Sequence, residues 1–243
     1  MIKSILASYG CASGQRVNFN KSSISFSSNV VAGVVSQVCA ELDVHVTSDH
    51  GTYLGLPSCI GRKKKTVFQS IRDKVWQKLQ GWSMKMLSKA GKEILLKTVA
   101  QVMPNYAMNV YLLPLDLCKE LEIMMNSFWW GSKRNGGGSG INWMKWECLC
   151  KPKDFGGIGF KQLHLFNISM LGKQMWNLFI HPNSFVAKIL KARYFPRSSV
   201  LDASLGSNPN FIWRSIMAAK DIVIKGSRLQ IGSGQQVLIG SDP

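Results

Sequence analysis

Carboxylates are the side chains from which a nucleotidyl-transfer centre would have to be built, and this 243-residue chain contains thirteen of them. Such centres hold two metal ions about 4 Å apart on closely spaced acids, which neutralise the phosphate and activate the attacking hydroxyl. Asp43, Asp49, Asp73 and Asp116 are instead dispersed along the sequence, and no two acids are adjacent. We therefore expect no polymerase, ribonuclease H or endonuclease activity from this chain by itself, and no bound metal or other cofactor.

Cysteine and histidine offer a second arrangement that could do chemistry, because Cys148 and Cys150 precede His164 by a short distance. Structural zinc sites usually have about two to four residues between paired cysteines, and four ligands in all. Here one residue separates the cysteines and a fourth ligand is missing, so the sequence predicts no zinc site. The glycines of 156–159 lack the spacing and the following Lys-Ser/Thr of a phosphate-binding loop, and they predict a turn.

The cysteine pattern also bears on the compartment. Six cysteines are scattered over the chain and do not form the framework of a small secreted protein. A reducing, intracellular compartment is therefore expected, with the nucleus and the mitochondrion as open alternatives. No apolar run reaches the roughly 18 residues of a membrane-spanning helix, so no such span is predicted.

Positive charge is concentrated in one segment. Thirty Lys and Arg against thirteen Asp and Glu give a net charge of +17, and the 37 positions from Gly61 to Lys97, with eleven bases and two acids, contribute +9. This clustering favours either a polyanion such as RNA, DNA or an RNA–DNA hybrid, held through its phosphates without sequence readout, or an anionic membrane surface. A basic protein with no such partner is the alternative. The residues predicted to bind the nucleic acid are Arg62, Lys63, Lys64, Lys65, Arg72, Lys78, Lys85, Lys89, Lys92 and Lys97.

The elements that would position these side chains change in type along the chain. Residues 1–60 combine a helical start with short strand-like pieces, one of them at Arg16–Phe19, and indicate an α+β region. From Gly61 onward the hydrophobic period is helical. One helix is predicted to begin at the N-cap Ser88 and to bury the stripe Ala90, Ile94, Leu95, Thr98 and Val102, which leaves Lys89 and Lys92 on the opposite face.

Further helices are predicted in the second half. One opens near Pro114 and closes at Gly131, and the glycine-rich stretch 132–140 after it indicates a linker. Two more are predicted at Leu163–Ile180 and from Ser184 to Tyr194. A last helix is capped by Asn210, with Ile212, Ile216, Ala219 and Val223 on one face and Gly226 at the position after its end. A short β-hairpin is predicted over 228–239.

A series of motifs follows along the chain in a distinctive order. The main ones are Ser13-Gly14, Asn18-Phe19-Asn20-Lys21, Tyr53-Leu54-Gly55-Leu56-Pro57, Leu87-Ser88-x-x-Gly91-Lys92, Pro104-Asn105-Tyr106, Phe128-Trp129-Trp130-Gly131, Trp143-x-x-Trp146, Gly156-Gly157-Ile158-Gly159, Phe166-Asn167, Lys191-Ala192-Arg193-Tyr194-Phe195-Pro196 and Trp213-Arg214-Ser215-Ile216. This order resembles the part of plant LINE-type, non-LTR retrotransposon reverse transcriptases that follows the catalytic aspartates. It is also similar to reverse-transcriptase-derived open reading frames of plant mitochondrial genomes.

The resemblance implies a mainly α protein of four regions: a small α+β palm remnant (1–60), a basic helical thumb (61–135), a helical connection (136–226) and the truncated start of a zinc-binding-like domain with the short hairpin (227–243). It implies that Lys21 is a remnant of the site near the departing pyrophosphate. Tyr53, Leu54 and Gly55 would be remnants of the turn that supports the primer end. The parent enzyme would use Mg²⁺ on paired aspartates that would lie before Met1.

These observations lead to one expected function and one alternative. The chain is expected to be a fragment of an RNA-directed DNA polymerase that lacks the catalytic aspartates and retains sequence-independent binding of primer and template. The alternative is an inert gene-fragment product with no selected biochemical activity.

Overall fold

Helices make up most of the described part of the protein, which in this computed structural model comprises residues 2–27, 29–47, 52–53, 56–57, 68–131 and 141–228. The prediction of a mainly α fold is confirmed. The chain divides into two units, Met1–Ile60 and Gly61–Pro243. The predicted linker at 132–140 and the predicted C-terminal hairpin, from residue 229 onward, lie outside the described residues.

Among its described residues the first unit contains two α-helices and two pairs of very short strands, in agreement with the α+β prediction. The parallel pair β1–β2 joins Ser23 to His45 and Ile24 to Val46, and the strands of the other pair, β3–β4, are antiparallel. The elements are α1 (Ile2–Ser13), β1 (Ser23–Ile24), α2 (Ala32–Leu42), β2 (His45–Val46), β3 (Thr52–Tyr53) and β4 (Leu56–Pro57).

The strand predicted at Arg16–Phe19 is absent. Phe19 instead begins a 3₁₀ turn, Phe19–Lys21, and the Asn18 side chain accepts a hydrogen bond from the Lys21 N–H. Asparagine favours such local capping because its short side chain competes with strand pairing for the backbone donors.

The second unit has nine helices among its described residues. They are α3 (Gln69–Ser83), α4 (Lys89–Leu95), α5 (Asn105–Met108), α6 (Leu115–Trp130), α7 (Trp146–Leu149), α8 (Leu163–Ile180), α9 (Phe185–Tyr194), α10 (Phe211–Met217) and α11 (Lys220–Gly226). A π-helical turn, Leu96–Ala100, continues α4.

Side-chain caps fix several of these helix ends. The oxygens of Ser88, Ser184 and Asn210 accept hydrogen bonds from the N–H groups of Gly91, Ala187 and Trp213, which are otherwise unpaired at a helix start. Gly131 ends α6 at a φ of +78°, a left-handed conformation that costs glycine little. The predicted caps Ser88 and Asn210 and the predicted end at Gly131 are therefore confirmed.

The core of the second unit is built around α6. Its buried face, which includes Leu121, Met125 and Phe128, packs against α3 on one side and α8 on another. Val75 and Leu79 are the buried residues of α3, at the i, i+4 spacing of one helix face. Burial of this apolar area is the main driving force for the fold of the unit.

Two aromatic clusters account for several of the motif residues. Trp213 is fully buried and stacks on Tyr194 and Phe195, with ring centroids 5.0 and 5.4 Å away. Trp146 stacks on Phe160 at 4.8 Å and donates its indole N–H to the Lys161 carbonyl. Within each cluster, aromatic residues from different parts of the sequence thus pack against one another.

Buried polar side chains hold the turn between α5 and α6. The Asn167 amide accepts from the Leu113 N–H and donates to the carbonyls of Met108 and Tyr111. The Ser215 hydroxyl accepts from the Leu112 N–H. These bonds satisfy main-chain groups that would otherwise be costly to bury.

The glycine-rich segment forms a turn, as predicted. Gly156 and Gly159 have φ values of +76° and +74°, and Gly157 lies so close to the main chain of Lys151 that a Cβ would overlap it. The amides of Ile158 and Phe160 donate to the Leu149 carbonyl, which closes the segment back onto α7.

The predicted apolar stripe of α4 is wrong. Ile94 is 60% exposed, and Thr98 and Val102 are also exposed, whereas Leu96, Ala100 and Gln101 are buried. The helix is rotated so that Lys89 and Lys92 lie on the same side as the buried Leu96, although Lys89 itself is exposed. Long lysine stems can pack like apolar side chains when their ammonium groups find partners, and here they do.

The predicted helix after Asn210 is divided in two. α10 ends at Met217 and α11 begins at Lys220, with a turn at Ala218–Ala219. Gly226 is the last residue of α11 and not the position after its end. Ala219 is fully buried against α8, where Gly172 leaves room for it and for Val223, so close packing explains the break better than local sequence does.

Candidate nucleic-acid interface

The basic side chains of α3 and of the loop that follows it project into solvent. Lys78 lies on the exposed side of α3 together with Lys74, one helical turn earlier, and Lys85 lies in the loop. None of the three forms an ion pair within the described ranges. Arg72 is different, because it pairs with Asp73 at 2.9 Å and approaches Glu120 at 3.9 Å.

Lys89 and Lys92 bind the C-terminal end of α6. The Lys89 ammonium donates to the Trp129 carbonyl at 3.0 Å and lies 4.8 and 4.9 Å from the ring centres of Trp129 and Trp130. The Lys92 ammonium lies 3.3 Å from the Phe128 carbonyl and 5.4 Å from its ring. These carbonyls carry the negative end of the helix dipole, which attracts both cations. At Lys92, burial and then the neighbouring charge of Lys89 outweigh this attraction and lower the pKa of its ammonium group.

Lys97 is also engaged within the protein. Its ammonium donates to the Ile158 carbonyl at 2.7 Å and to Glu93 Oε1 at 2.8 Å, and Lys153 approaches the same oxygen at 3.1 Å. The hydrogen bonds from Lys97 and Lys153 lower the pKa of Glu93. This network ties α4 to the glycine-rich turn.

A groove runs beside the loop after α3. Its volume is about 630 Å³, and its walls come from α3, the loop and α6. Trp76, Met124 and Phe128 form apolar parts of the wall, and Lys85 and Lys92 add cationic groups. Sequence reasoning did not find this groove, because no local pattern brings residues of α3 and α6 together.

The other predicted residues are only partly described. Lys21 is exposed at the end of its 3₁₀ turn, and Tyr53 belongs to β3. Leu54, Gly55 and the run Arg62–Lys65 lie outside the described residues. Of the ten predicted phosphate-binding residues, the structure therefore describes Arg72, Lys78, Lys85, Lys89, Lys92 and Lys97.

Acids and thiols form no metal centre in the described segments: nowhere do three or more His, Cys, Asp or Glu side chains come together in a way that could hold an ion. Burial, with a contribution from Glu122, raises the pKa of Cys118 and of Cys150 to about 12. Burial also raises the pKa of Glu122, whose carboxylate accepts a 2.7 Å hydrogen bond from the Leu163 N–H at the start of α8. For all three groups, burial therefore disfavours the charged form.

Among the described helices, none is both long and apolar enough to cross a bilayer.

Comparison with known proteins places the chain among plant proteins. No family model matches it. It is 31% identical over 191 residues to the Arabidopsis thaliana "Putative ribonuclease H protein At1g65750"; the match covers 77% of this chain but only 30% of that protein. It is 39% identical over 133 residues to the Arabidopsis thaliana "Uncharacterized mitochondrial protein AtMg00310", a match that covers 54% of this chain and 85% of that protein. Since this second match extends over most of the relative, the chain belongs to the family of that mitochondrial protein.

Proposed function

We propose that this protein binds nucleic acid duplexes through their phosphates, and that it derives from the thumb and connection of a plant retroelement reverse transcriptase. The observation that carries the proposal is the concentration of charge, +9 of the total +17, in 37 positions that include α3 and α4. Phosphate contacts of this kind give affinity without sequence preference.

The contacts within the protein divide the candidate residues into two groups. The ammonium groups of Lys89, Lys92 and Lys97 form hydrogen bonds to main-chain carbonyls and, for Lys97, to Glu93. We therefore assign these three residues a structural role in holding the helices together beside the interface. Lys78 and Lys85 remain available in solvent, on α3 and at the rim of the groove. These two, together with the basic run Arg62–Lys65, are our candidates for direct phosphate contact.

One relative and the order of motifs support a retroelement origin. The longer Arabidopsis relative is named a putative ribonuclease H protein, and this chain corresponds to less than one third of its length. The order of motifs, from Asn18-Phe19-Asn20-Lys21 to Trp213-Arg214-Ser215-Ile216, resembles the region after the catalytic aspartates of LINE-type reverse transcriptases. An RNA–DNA hybrid duplex is therefore the ligand to test first. The mitochondrion is the compartment we propose.

Fluorescence anisotropy with a labelled RNA–DNA hybrid, at several salt concentrations, tests the proposal. If about five phosphates are contacted, the logarithm of the binding constant should fall against the logarithm of the salt concentration with a slope near −4 to −5, as for B-form DNA. The same slope is expected for duplexes of unrelated sequence. A flat salt response, or no binding at low salt, would remove the idea.

A pair of variants locates the surface. The double substitution Lys78→Glu and Lys85→Glu should reduce the affinity at least about tenfold and make the slope shallower by roughly 0.9 for each phosphate that is no longer neutralised. The control, Lys3→Glu with Lys225→Glu, changes the net charge equally at exposed positions on α1 and α11. If the control weakens binding as much as the test variant, binding follows net charge alone and α3 is not the interface.

A further inference from the structure

A second surface of the protein is apolar and cationic at once, and the proposed nucleic-acid interface does not use it. It lies on α8 and α9, in the 47-residue stretch 155–201, which contains six Lys and Arg and no Asp or Glu. Six large apolar side chains of these two helices are exposed near the connection between them. They are Trp176, Phe179, Ile180, Phe185, Val186 and Ile189.

On α8 the exposed residues occupy one helix face. Leu165, Ser169, Lys173, Trp176 and Ile180 recur every three or four positions, opposite the buried stripe that contains Leu171, Met175 and Leu178. Trp176 and Phe179 also contact each other, with ring centroids 5.5 Å apart. The carboxyl-terminal half of this outer face is thus apolar, with Lys173 one turn before it.

On α9 the same arrangement is repeated. Phe185 is 78% exposed and Ile189, one turn later, is 51% exposed, whereas Ala187 and Leu190 are buried on the opposite side. Lys188 and Arg193 flank the line from Phe185 to Ile189 on its two sides, because they are offset from it around the helix axis. The outer face of α9 is an apolar stripe bordered by cations.

The cations of this surface have no acidic counterpart. Lys173, Lys188 and Arg193 are exposed and form no ion pair within the described residues. Leaving several bulky apolar groups in water is unfavourable, and exposed apolar groups bordered by charged residues are typical of an interaction site. A partner that fits this surface would therefore offer an apolar region bordered by negative charge.

We propose that the outer faces of α8 and α9, from Lys173 to Arg193, dock on an anionic lipid membrane surface. In this arrangement Trp176, Phe179, Phe185 and Ile189 enter the boundary between headgroups and acyl chains. Lysine and arginine stems extend along them so that their charges reach the lipid phosphates. The protein lies on the membrane and does not cross it.

Two other partners fit this surface less well. A second copy of the chain would present the same acid-free patch in a two-fold interface, so like charges would face each other without compensation. Nucleic acid would pair with the cations, but the aliphatic groups of Ile180, Val186 and Ile189 neither stack on bases nor bind phosphates. A lipid surface satisfies both the apolar and the cationic parts.

Vesicle co-sedimentation tests the proposal with the full chain. We expect the protein to sediment with vesicles of phosphatidylcholine and phosphatidylglycerol, and much less with vesicles of phosphatidylcholine alone. The double substitution Phe185→Ser and Ile189→Ser should lower the partition coefficient about tenfold. Substituting Lys188→Gln and Arg193→Gln should lower it roughly fivefold for each cation removed.

Matched controls separate this surface from the general positive charge. Ile94→Ser with Ile123→Ser removes two exposed aliphatic side chains from α4 and α6, and Lys3→Gln with Lys225→Gln removes two cations elsewhere. Both controls should retain wild-type partitioning, and circular dichroism should show that every variant keeps its helices. Equal loss of vesicle binding in test and control variants would overturn the proposal.

Three further results would also overturn it. One is vesicle binding that the Phe185/Ile189 variant leaves unchanged. Another is a dimer in size-exclusion chromatography that this variant dissociates, since the surface would then be an interface between copies. The third is a loss of hybrid-duplex affinity in the same variant, which would assign the surface to nucleic acid. The Lys78/Lys85 variant tests the duplex-binding proposal separately.

Discussion

At the scale of single residues, lysines in one basic segment have two different roles. Lys89 and Lys92 place their ammonium groups on carbonyls and aromatic rings of α6, whereas Lys78 and Lys85 keep theirs in water. The difference comes from what lies within reach of each side chain, since a lysine stem can follow an apolar surface to a negative group. Net charge alone therefore overstates the number of lysines that can contact a phosphate.

Removing the ammonium group of Lys89 should destabilise the protein. We expect Lys89→Met to lower the free energy of unfolding by about 1 kcal/mol, because it removes a charge at a helix C-terminus and a cation–π interaction while keeping a similar stem. Lys78→Met and Lys85→Met, the controls, should change it by less than about 0.5 kcal/mol. Urea unfolding measures all three variants, and equal effects would contradict the assignment of roles.

Glu122 should make stability depend on pH in a particular direction. Its pKa is raised from 4.5, mainly by burial, so the folded protein binds this proton more tightly than the unfolded chain. The resulting stabilisation is fully present below the unfolded pKa and is lost as pH rises through the folded pKa. Glu122→Gln keeps an oxygen that can accept from the Leu163 N–H but cannot ionise. The variant should therefore melt at a higher temperature than the wild type at pH 7, with a difference that shrinks as pH falls through the folded pKa and disappears below 4.5.

Glu93 should make stability depend on pH in the opposite direction to Glu122. Hydrogen bonds from Lys97 and Lys153 lower its pKa from 4.5, so its contribution is present above that pH and is lost as pH falls through the folded pKa. Glu93→Gln should melt below the wild type at pH 7. Thermal melts over a range of pH check both variants. A Glu122→Gln protein that melts below the wild type at neutral pH would show that the carboxylate is stabilising in its ionised form.

At the scale of elements, polar side chains of one helix decide how others are connected. Asn167 on α8 forms three hydrogen bonds with the turn between α5 and α6, at distances of 2.8 to 3.0 Å. Ser215 on α10 binds the same turn. Both residues belong to motifs that resemble polymerase sequences, yet their contacts in this chain are structural.

Replacing Asn167 should be among the most damaging single changes. Asn167→Leu keeps a similar shape but leaves the Leu113 N–H and the Met108 carbonyl without their partner in the interior. Each such loss costs about 1–3 kcal/mol, so we expect roughly 3 kcal/mol or more in total. Asn177→Leu, on the same helix, is the control and should cost less than about 0.5 kcal/mol. Urea unfolding of the two variants makes the comparison, and similar midpoints would be inconsistent with the assigned role.

At the scale of the whole molecule, the two units differ in how much they bury. Among the described residues every buried apolar side chain lies between Phe68 and Ala219, and neither α1 nor α2 has a buried residue. The second unit therefore has a core of its own, built from α3, α6, α8 and the Trp213 cluster. Cooperative unfolding is expected of such a core.

Thermal unfolding tests whether the second unit is a true domain. All eight tryptophans lie between Trp76 and Trp213, so near-ultraviolet circular dichroism reports on that unit. We expect this signal to be lost in one sigmoidal transition, at the same temperature as most of the helical signal in the far ultraviolet. A gradual, linear loss would favour the alternative of an inert gene-fragment product.

The sequence by itself determined the positions of several of the longer helices and some of their ends. α8 and α9 lie within one residue of the predicted stretches, Ser88 and Asn210 cap as predicted, and Gly131 terminates α6. These features depend on residues within a few positions of each other, so local sequence is enough to specify them.

Only the tertiary structure decided which faces of these helices are exposed. Lys89 and Lys92 turn their ammonium groups toward carbonyls 40 and 36 residues away at the end of α6, and the groove exists because α3 and α6 approach each other. The apolar stripe predicted for α4 was wrong for the same reason. A helix turns toward whichever neighbour satisfies its side chains best, and that neighbour is not recorded in the local spacing of its residues.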